Sequence, residues 1–116
     1  MTLKSYFLFL ILLALSQSVI SDQWFPVNPN DQSIQKIAKF AVDSYNKGLK
    51  DKTQYLNYSK VVNGKYKDSL IDHGKTYLFN LVAKNQSTGA SGEYLTFIFD
   101  DIDFNLLQLL SFEKEP

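Results

Sequence analysis

Ser33–Lys50, SIQKIAKFAVDSYNKGLK, is the stretch that decides the fold. Ile34, Ile37, Ala38, Ala41, Val42, Tyr45 and Leu49 recur at the spacing of one face of an α-helix. Lys36, Lys39, Asp43, Asn46, Lys47 and Lys50 fall mostly on the opposite face. A helix with one apolar stripe must bury it against another layer. Everything downstream reads as strand and turn, so that layer is a sheet built from the second half of the chain. The expectation is one small α+β domain with an N-terminal helix on an antiparallel β-sheet.

Working outward from the helix, Trp24–Pro29 reads as extended. Pro26 and Pro29 lack an N–H and restrict the residue before them. Asn30 or Asp31 is placed to cap the helix, which either ends near Gly48 or runs through it to Leu49 at a modest cost. Downstream, Tyr55–Val62 has strand composition, and the Asn63-Gly64 pair that follows is a hairpin signal opening a turn. Leu70 and Ile71 precede a polar loop, Asp72-His73-Gly74. Thr76–Lys84 is a strong strand: Tyr77, Phe79, Leu81 and Ala83 form one alternating set, and Leu78, Asn80 and Val82 the other. Asn85–Gly92 is a flexible connection, Glu93–Phe99 a strand, Asp100–Asp103 an acidic turn and Asn105–Phe112 the last strand. The tail after Phe112 is expected to fray.

At 116 residues the chain is expected to hold one domain. Residues 1–21 read as a secretory signal peptide. Lys4 supplies the positive start, Tyr6–Leu15 the apolar core, and Ser16, Ser18 and Ser21 the small residues near the cut. The mature domain then spans residues 22–116, with cleavage after Ser18 as the alternative. A retained membrane anchor is the competing reading, and the apolar run falls short of the roughly 18 residues it needs. Secretion implies an extracellular or vacuolar location. Without Lys4 the chain carries 11 lysines, no arginine and 12 acids, a net charge near −1. The lysines are scattered among the acids, so neither nucleic acid nor, after signal cleavage, a membrane is an expected partner. With no cysteine, the core and not a disulfide framework must stabilise the domain. Asn57 and Asn85 each begin an Asn-x-Ser sequon, the second in a polar loop that suits a glycan better.

The residues of an enzyme are missing. His73 is the single histidine and lies in a predicted turn, where it cannot by itself supply a catalytic triad or a zinc site. Asp100, Asp101 and Asp103 lack the spacing and glycine of a calcium loop. No glycine-rich phosphate loop follows a strand. No metal, no cofactor and no catalytic group is therefore expected, and the residues point to a binding domain.

Trp24-Phe25-Pro26-Val27 ahead of a helix carrying Ile37-Ala38-Lys39-Phe40-Ala41-Val42-Asp43 and Asn46 resembles the cystatins, in particular their plant branch, the phytocystatins. Leu56, Tyr58 and Lys60-Val61-Val62 match the family's second strand, Tyr77 its third, Tyr94 its fourth, and Asn105, Leu109 and Phe112 its last. The resemblance covers the whole mature chain. It implies a long helix gripped by a curled antiparallel sheet of four to five strands. It also implies reversible inhibition of papain-like cysteine proteases by a wedge of three segments. In this chain those segments are Asp22, Gln23 and Trp24; the first hairpin loop, Leu70, Ile71, Asp72, His73 and Gly74; and the second hairpin loop, Ile102 and Asp103. The family's usual wedge residues are replaced. Asp22-Gln23 stand where glycines precede the tryptophan, only Gly74 survives of the pattern Q-x-V-x-G, and Ile102-Asp103 stand for Pro-Trp.

The expected function is a secreted, cystatin-like inhibitor of papain-like cysteine proteases, weak or altered in specificity. A non-inhibitory secreted binding module on the same scaffold is the alternative. The papain-like protease is the expected partner, and the chain is expected as a monomer or a strand-swapped dimer.

Overall fold

The computed structural model describes residues 23–69 and 72–116. Residues 1–21, with the expected signal peptide, and Asp22, Leu70 and Ile71 lie outside the described residues. Strand β1 (Phe25–Pro26) precedes helix α1 (Gln32–Lys47), and a short 3-10 turn (Lys52–Gln54) leads into four long strands. These are β2 (Leu56–Asp68), β3 (Gly74–Asn85), β4 (Ser91–Asp101) and β5 (Leu106–Lys114). They form one five-stranded antiparallel sheet in the order β1-β2-β3-β4-β5. The architecture is α+β, one helix packed on the sheet, as the periodicity predicts.

Asp31 is the N-cap: its carboxylate accepts from the Ser33 backbone N–H at 2.9 Å and from the Ser33 hydroxyl at 2.8 Å. The helix ends at Lys47, two residues before the last member of the stripe, Leu49, because the chain turns at Gly48. Ile34, Ile37, Ala38, Ala41 and Val42 are buried against Leu56, Val61, Tyr77, Phe79, Leu81, Ala83 and Ile98 of the sheet. Tyr45 is half-buried instead, stacked on Phe112 at 4.4 Å between ring centroids. The two small residues, Ala38 and Ala41, let the helix backbone approach closely. Thr96 is the buried polar exception, and its hydroxyl donates to Ser111 O at 2.7 Å.

The Asn63-Gly64 hairpin does not form. β2 runs straight through it to Asp68, and Gly64 pairs with Phe79 of β3. A Cβ on Gly64 would come within 2.5 Å of the Phe79 ring, so this glycine serves close packing inside a strand and not a turn. Two register shifts, at Tyr58/Lys60 and Val61/Asn63, each absorb an extra residue and curl β2 around the helix. Asp100 and Asp101 likewise belong to β4, not to a turn. Nor does the tail fray at Phe112: β5 continues to Lys114, and Glu115 N donates to Glu93 O at 2.8 Å.

Candidate functional site

The antiparallel order brings the β2–β3 connection, the β4–β5 connection and the N-terminal strand to one end of the sheet. At this end Asp68 pairs with Lys75, Gly74 with Asp101, and Asp101 with Leu106. The β4–β5 loop is a tight turn. Asn105 N donates to Ile102 O at 3.3 Å, and Asn105 has φ 50°, a left-handed conformation that asparagine tolerates. The Asp101 carboxylate accepts from Phe104 N at 3.3 Å. This turn holds Phe104 at its outermost point, where the side chain is 78% exposed.

The two connections are tied to each other. Ile102 N donates to His73 O at 3.0 Å, and His73 Nδ1 lies 3.0 Å from Asp103 Oδ1. Both side chains of that pair are exposed, so it is a surface contact worth about 0–1 kcal/mol, enough to bias the loops but not to build the fold. Asp68, Asp72, His73, Ile102 and Asp103 line a shallow cleft between the two loops. Gly74 is buried: a Cβ there would land on the Phe99 ring and lie 2.9 Å from Asp100 O. Its lack of a side chain therefore closes the hairpin base under Phe99.

At the other edge the N-terminal segment is anchored on β2. Phe25 and Pro26 pair with Tyr66 and Lys65, and Val27 N donates to Gly64 O at 3.1 Å. The Trp24 ring sits 5.1 Å from Lys65 Nζ and 5.0 Å from Lys67 Nζ, a cation–π arrangement. Phe25, Tyr66, Tyr77 and Phe79 form a run of rings at 5.5, 6.0 and 5.6 Å leading into the core. Burial first, and then the negative charge of Asp100, hold the Tyr77 phenol above its ordinary value, so it stays neutral. Gln23 is exposed beside this anchor.

The structure thus gathers Trp24, Asp72, His73, Gly74, Ile102 and Asp103 at one end, where the sequence reading places the contact segments. It adds Phe104, which that reading passed over between an acidic turn and a strand. The signal was present: a lone aromatic between Asp103 and Asn105 in a turn has no core within reach. Asn57 and Asn85 lie toward the opposite end. Asn85 engages both ends of its amide, accepting from Ser87 N and Thr88 N and donating to Thr53 O, whereas the exposed Asn57 side chain accepts from Gln86. Among the described residues no group of three or more potential metal ligands comes together.

A sequence profile described as aspartic acid proteinase inhibitor (SQAPI) matches residues 27–115. The chain belongs to the SQAPI family of aspartic acid proteinase inhibitors. No curated protein matches it significantly by sequence. Among solved structures it superposes on one titled "Crystal structure of Al-CPI" with a TM-score of 0.54 and 13% identity, over 80% of this chain and 99% of that one. At that identity the likeness speaks for the fold alone, and the fold is cystatin-like.

Membership in SQAPI corrects the expected target. The family's proteinase class is aspartic, so the reading of this chain as an inhibitor of papain-like cysteine proteases is overturned. The reason is physical: the motifs behind that reading lie in the helix and strands, where they build the scaffold. A scaffold does not by itself choose the enzyme, and this chain lacks the glutamine, the valine and the Pro-Trp pair of the cystatin wedge. That the partner is a protease and that the chain is not itself an enzyme both stand.

Proposed function

We propose that this chain is a reversible inhibitor of an aspartic proteinase, and that it docks through the end of the sheet where its two hairpin loops and N-terminal strand converge. The match of residues 27–115 to an inhibitor family carries this reading. The exposed Phe104 supplies the surface: a rigid apolar ring on a tied turn is the type of anchor that dominates interfaces. The contact segments keep their places with the new target. Asp72, His73 and Gly74 of the first loop and Ile102 and Asp103 of the second lie beside that anchor, Gln23 and Trp24 complete the same end from the β1 edge, and Asp22, Leu70 and Ile71 adjoin them in sequence.

An aspartic active site is itself a pair of carboxylates. A free Asp103 beside the anchor would meet it as a like charge. His73, 3.0 Å away, offers a counter-charge when its ring is protonated. Inhibition by insertion needs no covalent step.

Secretion belongs to this reading and rests on the Lys4 and Tyr6–Leu15 pattern. The plant branch belongs to it too and rests on the Phe40-Ala41-Val42-Asp43 motif. The test is a steady-state inhibition assay of residues 22–116 against a pepsin-like aspartic proteinase and, in parallel, a papain-like cysteine protease. Saturable inhibition of the first and none of the second is expected. No inhibition of any aspartic proteinase in a panel would overturn the proposal.

A further inference from the structure

Four of the seven exposed large apolar side chains among the described residues, Ile102, Phe104, Leu106 and Leu110, fall within nine consecutive residues. They run from the tip of the β4–β5 loop onto β5, where Leu106 is 59% and Leu110 52% exposed. β5 is the terminal strand of the sheet, so its outer edge carries main-chain groups with no neighbouring strand. From Leu106 to Phe112 it has no charged residue and no proline to guard that edge, and its one irregularity is a bulge at Leu110. The other edge is guarded: β1 covers part of β2, two bulges distort it, and Lys60 and Lys65 project from it.

A specific protein–protein contact covers about 800 Å² on each partner. A single loop tip is too small for that, and the contact must spread. Toward the first loop the cleft is bordered by the acidic side chains Asp68 and Asp72 and by His73. Toward β5 the surface is uncharged for about 13 Å beyond Leu106 at strand rise, with exposed Leu106 and Leu110 on either side of Gln108. Resting on the proposed docking of the tip, we propose that the aspartic proteinase contact extends along the outer edge of β5, with Leu106 and Leu110 seated on apolar enzyme surface. The occupant is the proteinase because the stripe is continuous with the tip. A partner built to hold extended peptide also offers main-chain groups to an open strand.

The experiment uses the mature chain and four variants. Phe104→Ala tests the tip; Leu106→Lys and Leu110→Lys test the stripe, with Leu110→Gln to separate lost apolar contact from added charge. These side chains are exposed, so the melting temperature is expected to hold, and circular dichroism checks it. Each β5 variant is expected to weaken inhibition about 10- to 100-fold, the loss typical of an interface anchor. Hydrogen exchange of the complex is expected to slow at amides of residues 106–110 and not at residues 57–62. Weakening by Phe104→Ala with unchanged inhibition by both β5 lysine variants overturns this extension and leaves the tip reading standing. Unchanged inhibition by Phe104→Ala overturns the tip reading instead. Sedimentation of the chain alone is expected to give a monomer; a dimer with β5 amides already protected would assign the edge to a second copy and overturn the proposal.

Discussion

The two ends of the sheet are closed by hairpins of the same topology, yet they are finished differently. At the end where β3 turns into β4, polar groups are consumed locally. Asn85 holds the turn with three hydrogen bonds, and Gln86 N donates to Tyr55 O at 2.9 Å. The Asn46 side chain reaches from the helix to donate to Leu56 O at 2.8 Å and accept from Leu56 N at 2.9 Å, as a neighbouring strand would. Residues 86–90 are exposed but small or polar, leaving nothing for a partner to grip. At the other end the loops are tied by one main-chain bond and one surface His–Asp pair, and an aromatic ring stands in solvent. The first end is finished for stability, and the second presents the surface proposed for contact.

That comparison fails most visibly if the two ends are not separable by mutation. The largest effect is expected from Phe104→Ala, which should weaken inhibition of an aspartic proteinase roughly 30- to 1,000-fold, or about 2–4 kcal/mol, with the melting curve unchanged. A fall in melting temperature would mean that the ring supports the fold after all. Next comes Gly74→Val, which sits at the boundary. Its side chain must displace Phe99, so we expect about 1–3 kcal/mol of lost stability together with weaker inhibition as the hairpin base opens. Denaturant unfolding and an inhibition assay on the same sample would separate the two.

At the quiet end Asn46→Ala should cost about 1–3 kcal/mol, since it leaves both main-chain groups of Leu56 without that partner. Once folded, the variant should inhibit like the parent; a changed inhibition constant would show the ends to be coupled. The smallest effect compares the caps. Asp31 and Asp51 are both held below their ordinary value, by side-chain and then backbone hydrogen bonds from Ser33 and Thr53 respectively. A carboxylate with a lowered folded value adds stability that is present above the unfolded value near 4 and is lost as the pH falls through the folded one. Asp31→Ala and Asp51→Ala should therefore differ from the parent in melting temperature at neutral pH and converge with it in strong acid. A difference that persists there would point to packing instead of charge.

Much of this was legible in the chain before any coordinates. The helix stripe picked out Ile34, Ile37, Ala41 and Val42 as buried, and the alternation in β3 separated buried Phe79 and Leu81 from half-buried Leu78 and Val82. Asn63-Gly64 misled because a local pair cannot report that Phe79, on another strand, needs the space above Gly64. Phe104 was missed for the opposite reason: apolar residues are assumed to find a core, and only the position of the whole turn shows that none is near.

What the sequence determined by itself is therefore the scaffold. Periods of 3.6 and 2 residues are local properties, and each dictates which side chains must leave water. The tertiary structure alone decided which turn became the tip, which edge stayed open and which glycine served packing instead of turning. Those depend on where a residue lies relative to partners far away in the chain. Burial and exposure belong to the assembled shape, so Phe104 and the Leu106–Leu110 edge emerge as a surface only after β5 has taken its place at the border of the sheet.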